Sequence, residues 1–258
     1  MKFRQVVIST SLSILFIYGM LILSTLYYFE WESLVKSLSD KRVLSAIGLS
    51  LGGASIATLL AVAISVPSAY AMSRYHFYLK PAVDILLELP MIISPAALGA
   101  IILILFQTPI GILIRENVID IVYAFSGIVV AQFITVLGIC TRLLKSVFDE
   151  IPTRYERIGR TLGATHWQSF SQISLPLAKY GILSATVLTW AKAVGEFGAT
   201  ITVAGSMAMK TETLPTAIFM KLSMADIKGT VILILILFAI SMLMLITARL
   251  IVRKKQHD

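Results

Sequence analysis

Long apolar runs separated by short polar connections dominate the chain. A helix needs roughly 20 mostly apolar residues to cross the hydrocarbon of a bilayer. Six stretches meet that need, at about 6–28, 44–72, 82–106, 118–144, 177–204 and 230–252. The pattern predicts an all-α polytopic membrane protein with six transmembrane helices, built as one domain over residues 1–258. The first run follows Lys2 and Arg4 and reaches about Phe29. A signal peptide has an apolar core of about 7–15 residues and a small-residue cleavage site, so this run is expected to be a membrane span. Gly48, Gly52 and Gly53 in the second run form a small-residue face for close helix approach. Pro67, Pro90 and Pro95 predict kinked helices in a bundle.

Composition agrees with this pattern. The 258 residues are 57% hydrophobic and 14% charged, and the mean hydropathy is +0.88. A soluble domain of this length could not hide so much apolar surface in one core. The formal charge of +8 does not signal nucleic acid, because the basic residues sit in short segments between apolar runs rather than on a polar domain. Six spans with the N-terminus inside put fourteen of the 22 Lys and Arg residues on the cytoplasmic side and seven outside, with Lys192 in neither set. That bias places both termini in the cytoplasm. Cys140 is the single cysteine, so no disulfide or CxxC site forms within the chain. His76, His166 and His257 are scattered and read as surface residues. No metal-spaced His/Cys cluster and no G-x-x-x-x-G-K-[ST] phosphate loop occurs, so the chain is not expected to hydrolyse ATP by a phosphate-loop mechanism.

The longest polar connection, 150–176, carries more local structure than a linker needs. Thr153 with Glu156, and Thr165 with Gln168, each fit the S/T-x-x-E/Q capping box. Gly163 lies between them where a helix end favours a left-handed residue, and Pro176 marks the start of the fifth span. Two short helices joined by a tight turn at Gly163 and Ala164 are predicted. Their side chains mix Arg154, Arg157 and Arg160 with Tyr155, Ile158, Trp167 and Phe170. Such a mixture suits either a protein docking surface or an amphipathic hairpin resting on lipid headgroups.

The loop resembles the conserved cytoplasmic loop of binding-protein-dependent ABC importer permeases, E-A-A, three residues, Gly, nine residues, Ile, one residue, Leu-Pro. Gly163, Ile173, Leu175 and Pro176 fall at that spacing, and Arg160-Thr-Leu-Gly-Ala164 is also similar. The E-A-A positions hold Arg157-Ile158-Gly159 instead, with Glu156 one place earlier. The resemblance implies a type I ABC importer permease fold whose coupling helix sits in a cleft of an ATPase subunit.

The fifth apolar run contains Lys192 and Glu196, spaced i, i+4, with Gly195, Gly198, Ala199 and Thr200 nearby. A charge at membrane depth costs a few kcal/mol on insertion scales, so such residues usually face protein or water. Either this face lines or gates a translocation path, with Glu196 holding Lys192 in place, or the pair only fixes helix packing. The run Gly195-Glu-Phe-Gly-Ala-Thr200, then Ala204-Gly205 and Lys210-Thr-Glu-Thr-Leu-Pro215, resembles molybdate-type permeases, as does Leu89-Pro-Met-Ile-Ile-Ser-Pro-Ala-Ala-Leu-Gly99. Ser206 stands where those relatives usually carry Asn. Sulfate, thiosulfate and tungstate permeases are close relatives. The resemblance implies a homodimer of permease copies, two ABC ATPase subunits that bind ATP and Mg, and an external oxyanion-binding protein that delivers molybdate. An ion-coupled secondary transporter is the competing class, but it would carry coupling groups in broken midplane helices, often within internal repeats. A membrane enzyme would need convergent nucleophiles or acid–base groups, which the dispersed carboxylates do not supply.

Overall fold

A computed structural model describes residues 2–117 and 119–254, and every regular element among them is helical. The elements are α1 (Lys2–Leu26), α2 (Trp31–Ser39), α3 (Lys41–Arg74), α4 (Lys80–Ile92), α5 (Pro95–Leu105), α6 (Pro109–Asn117) and α7 (Phe125–Asp149). They continue with α8 (Arg154–Thr161), α9 (His166–Gln168), α10 (Leu175–Val194), α11 (Gly198–Ala204), α12 (Leu214–Ser223) and α13 (Ile227–Lys254). Residue 118, where the fourth expected span begins, and His257 lie outside the described residues.

Four helices are long and apolar enough to cross a membrane singly: α1, α3, α7 and α13. The third expected span is instead a bent pair. α4 and α5 meet at 115° across Ile93 and Ser94. The cause is local. Pro95 forces extended backbone on the residue before it, and Ser94, at ψ 142°, caps α5 by accepting the Ala97 N–H at 3.3 Å. The fifth expected span is also interrupted. α10 ends at Val194, and α11 restarts at Gly198.

The centre of the bundle is the seam between α3 and α7, closed on one side by α10. Ala54, Ala61 and Ala69 are fully buried on α3 against Val136, Cys140, Leu144 and Phe148 of α7 and Ala193 and Val194 of α10. Small side chains let the backbones approach, which is how helices gain packing when lipid offers no hydrophobic drive. Of the three expected glycines only Gly53 makes a tight contact. A Cβ there would sit 2.9 Å from Ile128 Cγ2, whereas Gly48 has open space and Gly52 only ordinary contact with Phe125. α1 contributes nothing to this core; its large apolar side chains are exposed along its length. α3 is the longest strut, 34 residues with Pro67 inside it, about 51 Å at 1.5 Å per residue.

Candidate functional site

Two sets of residues singled out by sequence are brought together as local units. The first is the loop 150–176. α8 ends at Gly163, which adopts φ +95°. Its N–H donates to Arg160 O at 3.1 Å, and the Ala164 N–H donates to Gly159 O at 3.0 Å, closing the helix end with a left-handed glycine. The chain turns and restarts at Thr165. There the expected capping box forms in full: Gln168 N–H donates to Thr165 Oγ1 at 3.2 Å, and Thr165 N–H donates to Gln168 Oε1 at 2.8 Å. Gly159 lies directly against the end of the Ile173 side chain, so the two arms of the hairpin touch there and a side chain on Gly159 would have to displace it.

The other expected capping box does not form. Thr153 is already helical, at φ −59° and ψ −16°, and makes no capping bond to the backbone. Its hydroxyl instead accepts from Arg157 Nη2 at 3.1 Å. Glu156 turns inward to a different set of partners. Its carboxylate accepts from Arg74 Nε at 2.8 Å, Ser174 Oγ at 2.6 Å and the Tyr70 hydroxyl at 3.0 Å. Arg74 Nη2 also donates to Ile151 O at 2.9 Å. Burial alone would raise the Glu156 carboxyl, but the hydrogen bonds from Ser174, Arg74 and Tyr70 outweigh it and hold it below its usual value. Phe170 stacks on Tyr70 with ring centroids 4.7 Å apart, and Phe148 closes the same aromatic cluster. One carboxylate thus ties α8 to both α3 and the helix that follows.

The second arm is also not a separate short helix. α9 runs through a wide-turned π segment, Ser169–Ser174, straight into α10. Pro176 has no N–H and crowds the carbonyl four residues earlier; the wide turns carry the helix past that point. Leu175 and Pro176 therefore begin α10 without a break.

The second unit is the interruption between α10 and α11. Lys192 and Glu196 do not share one helix face, because the helix stops between them. Glu196 is 2% exposed and accepts the Ala199 N–H of the first turn of α11 at 3.1 Å. Lys192 Nζ is 3.9 Å from Glu196 Oε2, too long for a hydrogen bond, and its side chain is 47% exposed. Gly198 and Gly99 carry the close approach of α11 to α5. A Cβ on Gly198 would lie 2.8 Å from Pro95 Cβ and 3.0 Å from Ala96 N; one on Gly99 would lie 3.0 Å from Ala199 O. Gly195 meets nothing tighter than 3.6 Å. Thr200 is buried, and its hydroxyl has no partner among the described residues.

Arg74, Tyr70 and Ser174 complete the first unit and are not marked by any sequence pattern, whereas Gly99 and Pro95, which complete the second, lie in the run 89–99 noted above. Tyr70 and Arg74 stand i, i+4 at the end of the second span, the only local sign of a shared face.

The sequence signature of the family described as "binding-protein-dependent transport system inner membrane component" matches residues 61–257, which covers the whole of the loop, the α10–α11 break and α5. The chain belongs to this family. Among its relatives, the sulfate transport system permease protein CysW of Synechococcus elongatus is 35% identical over 183 residues, 70% of this chain and 64% of that protein. The molybdate/tungstate transport system permease protein WtpB of Thermococcus kodakarensis is 34% identical over 173 residues, 67% of this chain and 66% of that protein. The chain thus spans just under two thirds of the length of each. A chain of a bacterial ABC transporter involved in import of the acidic polysaccharide alginate shares the fold, with a TM-score of 0.74 over 98% of this chain and 94% of that one at 14% identity. Family membership places the protein in the inner membrane as a multi-pass transport component, in keeping with its several apolar helices.

Proposed function

We propose that this chain is the permease subunit of an ATP-driven importer of a tetrahedral oxyanion, with molybdate as the first candidate substrate and tungstate, sulfate or thiosulfate as the alternatives. The observation that carries the reading is the loop: α8 is fixed to α3 through Glu156 and Arg74, while its outer face is left uncovered. Such a part transmits force from a docked subunit, and it lies in a chain with no phosphate loop of its own. In this reading Thr153, Glu156, Arg157, Ile158, Gly159, Gly163, Ala164, Thr165, Ile173, Leu175 and Pro176 form the coupling loop. Two permease copies enclose a central path, two ATPase subunits carrying ATP and Mg dock on the two loops, and an external binding protein delivers the anion. Both termini and the loop face the cytoplasm. Lys192, Gly195, Glu196, Gly198 and Thr200 border or gate the path, with the half-exposed Lys192 giving the positive potential a dianion favours.

Relatives named for sulfate and for molybdate/tungstate stand at nearly equal identity, so the substrate is tested on the delivery side. Calorimetry of the companion binding protein against molybdate, tungstate and sulfate is the experiment. Molybdate binding at least about tenfold tighter than sulfate is the expected outcome; the reverse order reassigns the importer to sulfate.

A further inference from the structure

The E-A-A positions of the loop hold Arg157-Ile158-Gly159, and the structure shows what that exchange does to the surface. Glu156 is the one carboxylate on α8, and it is turned inward and occupied by three donors. Arg154, Arg157 and Arg160 are exposed and form no ion pair among the described residues. Arg154 is engaged over the Tyr155 ring at 5.4 Å. Arg157 and Arg160 instead lie on the flank of α8 that faces the start of α9. With His166 they line a cavity of about 200 Å³ that adjoins a wider one of about 510 Å³ sharing the same three side chains. The smaller cavity is also lined by Glu156, whose charge Arg74 balances, and by Ser169, which is 1% exposed and whose hydroxyl has no partner among the described residues. A buried hydroxyl without a partner costs free energy that a bound acceptor would recover. Around this groove Leu162 is 83% exposed, Trp167 70% and Ile158 55%.

We infer that the groove between α8 and the start of α9 receives carboxylate side chains of the ATPase subunit, bound by Arg157 and Arg160 with Ser169 as an additional donor, while Leu162, Trp167 and Ile158 enter an apolar cleft of the same subunit. The inference rests on the docking reading above and adds its chemistry: the partner's cleft is acidic at its rim. Planar guanidinium groups match carboxylates in two parallel hydrogen bonds. Anionic lipid headgroups would also attract arginine. A concave site with a buried hydroxyl at its wall suits an inserted side chain better than a flat headgroup layer.

The test uses the native complex, purified in nanodiscs of zwitterionic lipid and in nanodiscs with added anionic lipid, with retained ATPase measured at rising KCl. Native complex should lose ATPase as salt rises. R157E/R160E should retain about tenfold less ATPase than native at low salt in both lipids, since like charges meet where opposite charges did. R157Q/R160Q should fall between them, and K36E, a charge reversal on exposed α2, should match native. Equal retention by native and R157E/R160E at every salt concentration overturns the inference. A loss confined to anionic nanodiscs also overturns it, and assigns the groove to lipid. If native complex retains no ATPase even at low salt, the docking reading itself fails, a result distinct from both.

Discussion

The two ends of α3 are each fastened by an arginine–glutamate pair, about 48 Å apart at 1.5 Å per residue. At the α8 end, Arg74 and Glu156 are both mostly buried, 7% and 12% exposed, and two further side chains share the carboxylate. At the other end, Arg42 meets Glu212 through two hydrogen bonds of 2.6 and 2.7 Å, but Arg42 is half exposed. The surroundings differ more than the pairs do. Near Glu212, Lys221 is paired with Asp226 and Lys228 with Glu30, while Lys41 and Lys210 form no ion pair among the described residues. Around Glu156 the neighbouring arginines are left without carboxylates. Both ends keep unpaired cations, but only α8 gathers them on one short exposed helix over a buried anchor. That difference supports the proposed docking at α8, while the Arg42–Glu212 pair joins α3 to the segment before α12.

The comparison breaks most sharply at Arg74. Arg74→Ala would leave Glu156 buried without its cation, a loss of about 3 kcal/mol for an interior pair, and should free α8 in hydrogen exchange while α7 stays protected. Arg42→Ala also strands a buried carboxylate, since the Glu212 side chain is 2% exposed, so a loss of the same order, about 3 kcal/mol, is expected there, but with α8 exchange unchanged; freeing of α8 by Arg42→Ala would erase the contrast. Next comes Gly198→Val, whose added side chain meets Pro95 and Ala96, with a cost of about 2 kcal/mol. It should impair transport with α8 exchange unchanged, separating the two units. Gly163→Val places a β-branched residue at φ +95°, a strain of about 1–2 kcal/mol; at equal expression, ATPase activity should persist while transport falls. The smallest effect is a pH response. Glu156 is held low, so its contribution is complete above the ordinary value of 4.5 and is lost as pH falls through its lower folded-state value. Exchange of α8 amides, compared at pH 7 and pH 4 after correction for intrinsic rate, should rise selectively at the acid end.

How much of this was readable depends on distance along the chain. The Gly163 turn and the Thr165–Gln168 box are set by residues within five positions, and both are present as read. The Thr153–Glu156 pattern was equally local and did not form, because Arg74, 82 positions away, and Tyr70 offered Glu156 stronger partners than a backbone N–H. Capping motifs propose local bonds; a buried cation outbids them. Apolar length found the long helices but not their breaks. The bend at Ser94–Pro95 is written in a Pro and a capping Ser, but a proline within a long apolar run predicts only a kink. The stop at Gly195–Phe197 goes with the close approach of Gly198 on α11 to α5 and of Gly99 on α5 to α11, about a hundred residues apart in the chain, and periodicity carries no trace of that. Lys192 and Glu196 were readable as ionisable residues at depth, but their i, i+4 spacing presumed a helix that ends before Glu196.

The central claim is that α8 is the handle worked by the ATPase. In a Cys140→Ala chain, an Ile158→Cys substitution puts one thiol on the exposed face of α8. In intact membranes the expected result is a cross-link from that thiol to the ATPase subunit that changes in yield when ATP is added, with no labelling from outside the cell by an impermeant reagent. Labelling from outside, with no cross-link to an ATPase in either nucleotide state, would contradict it.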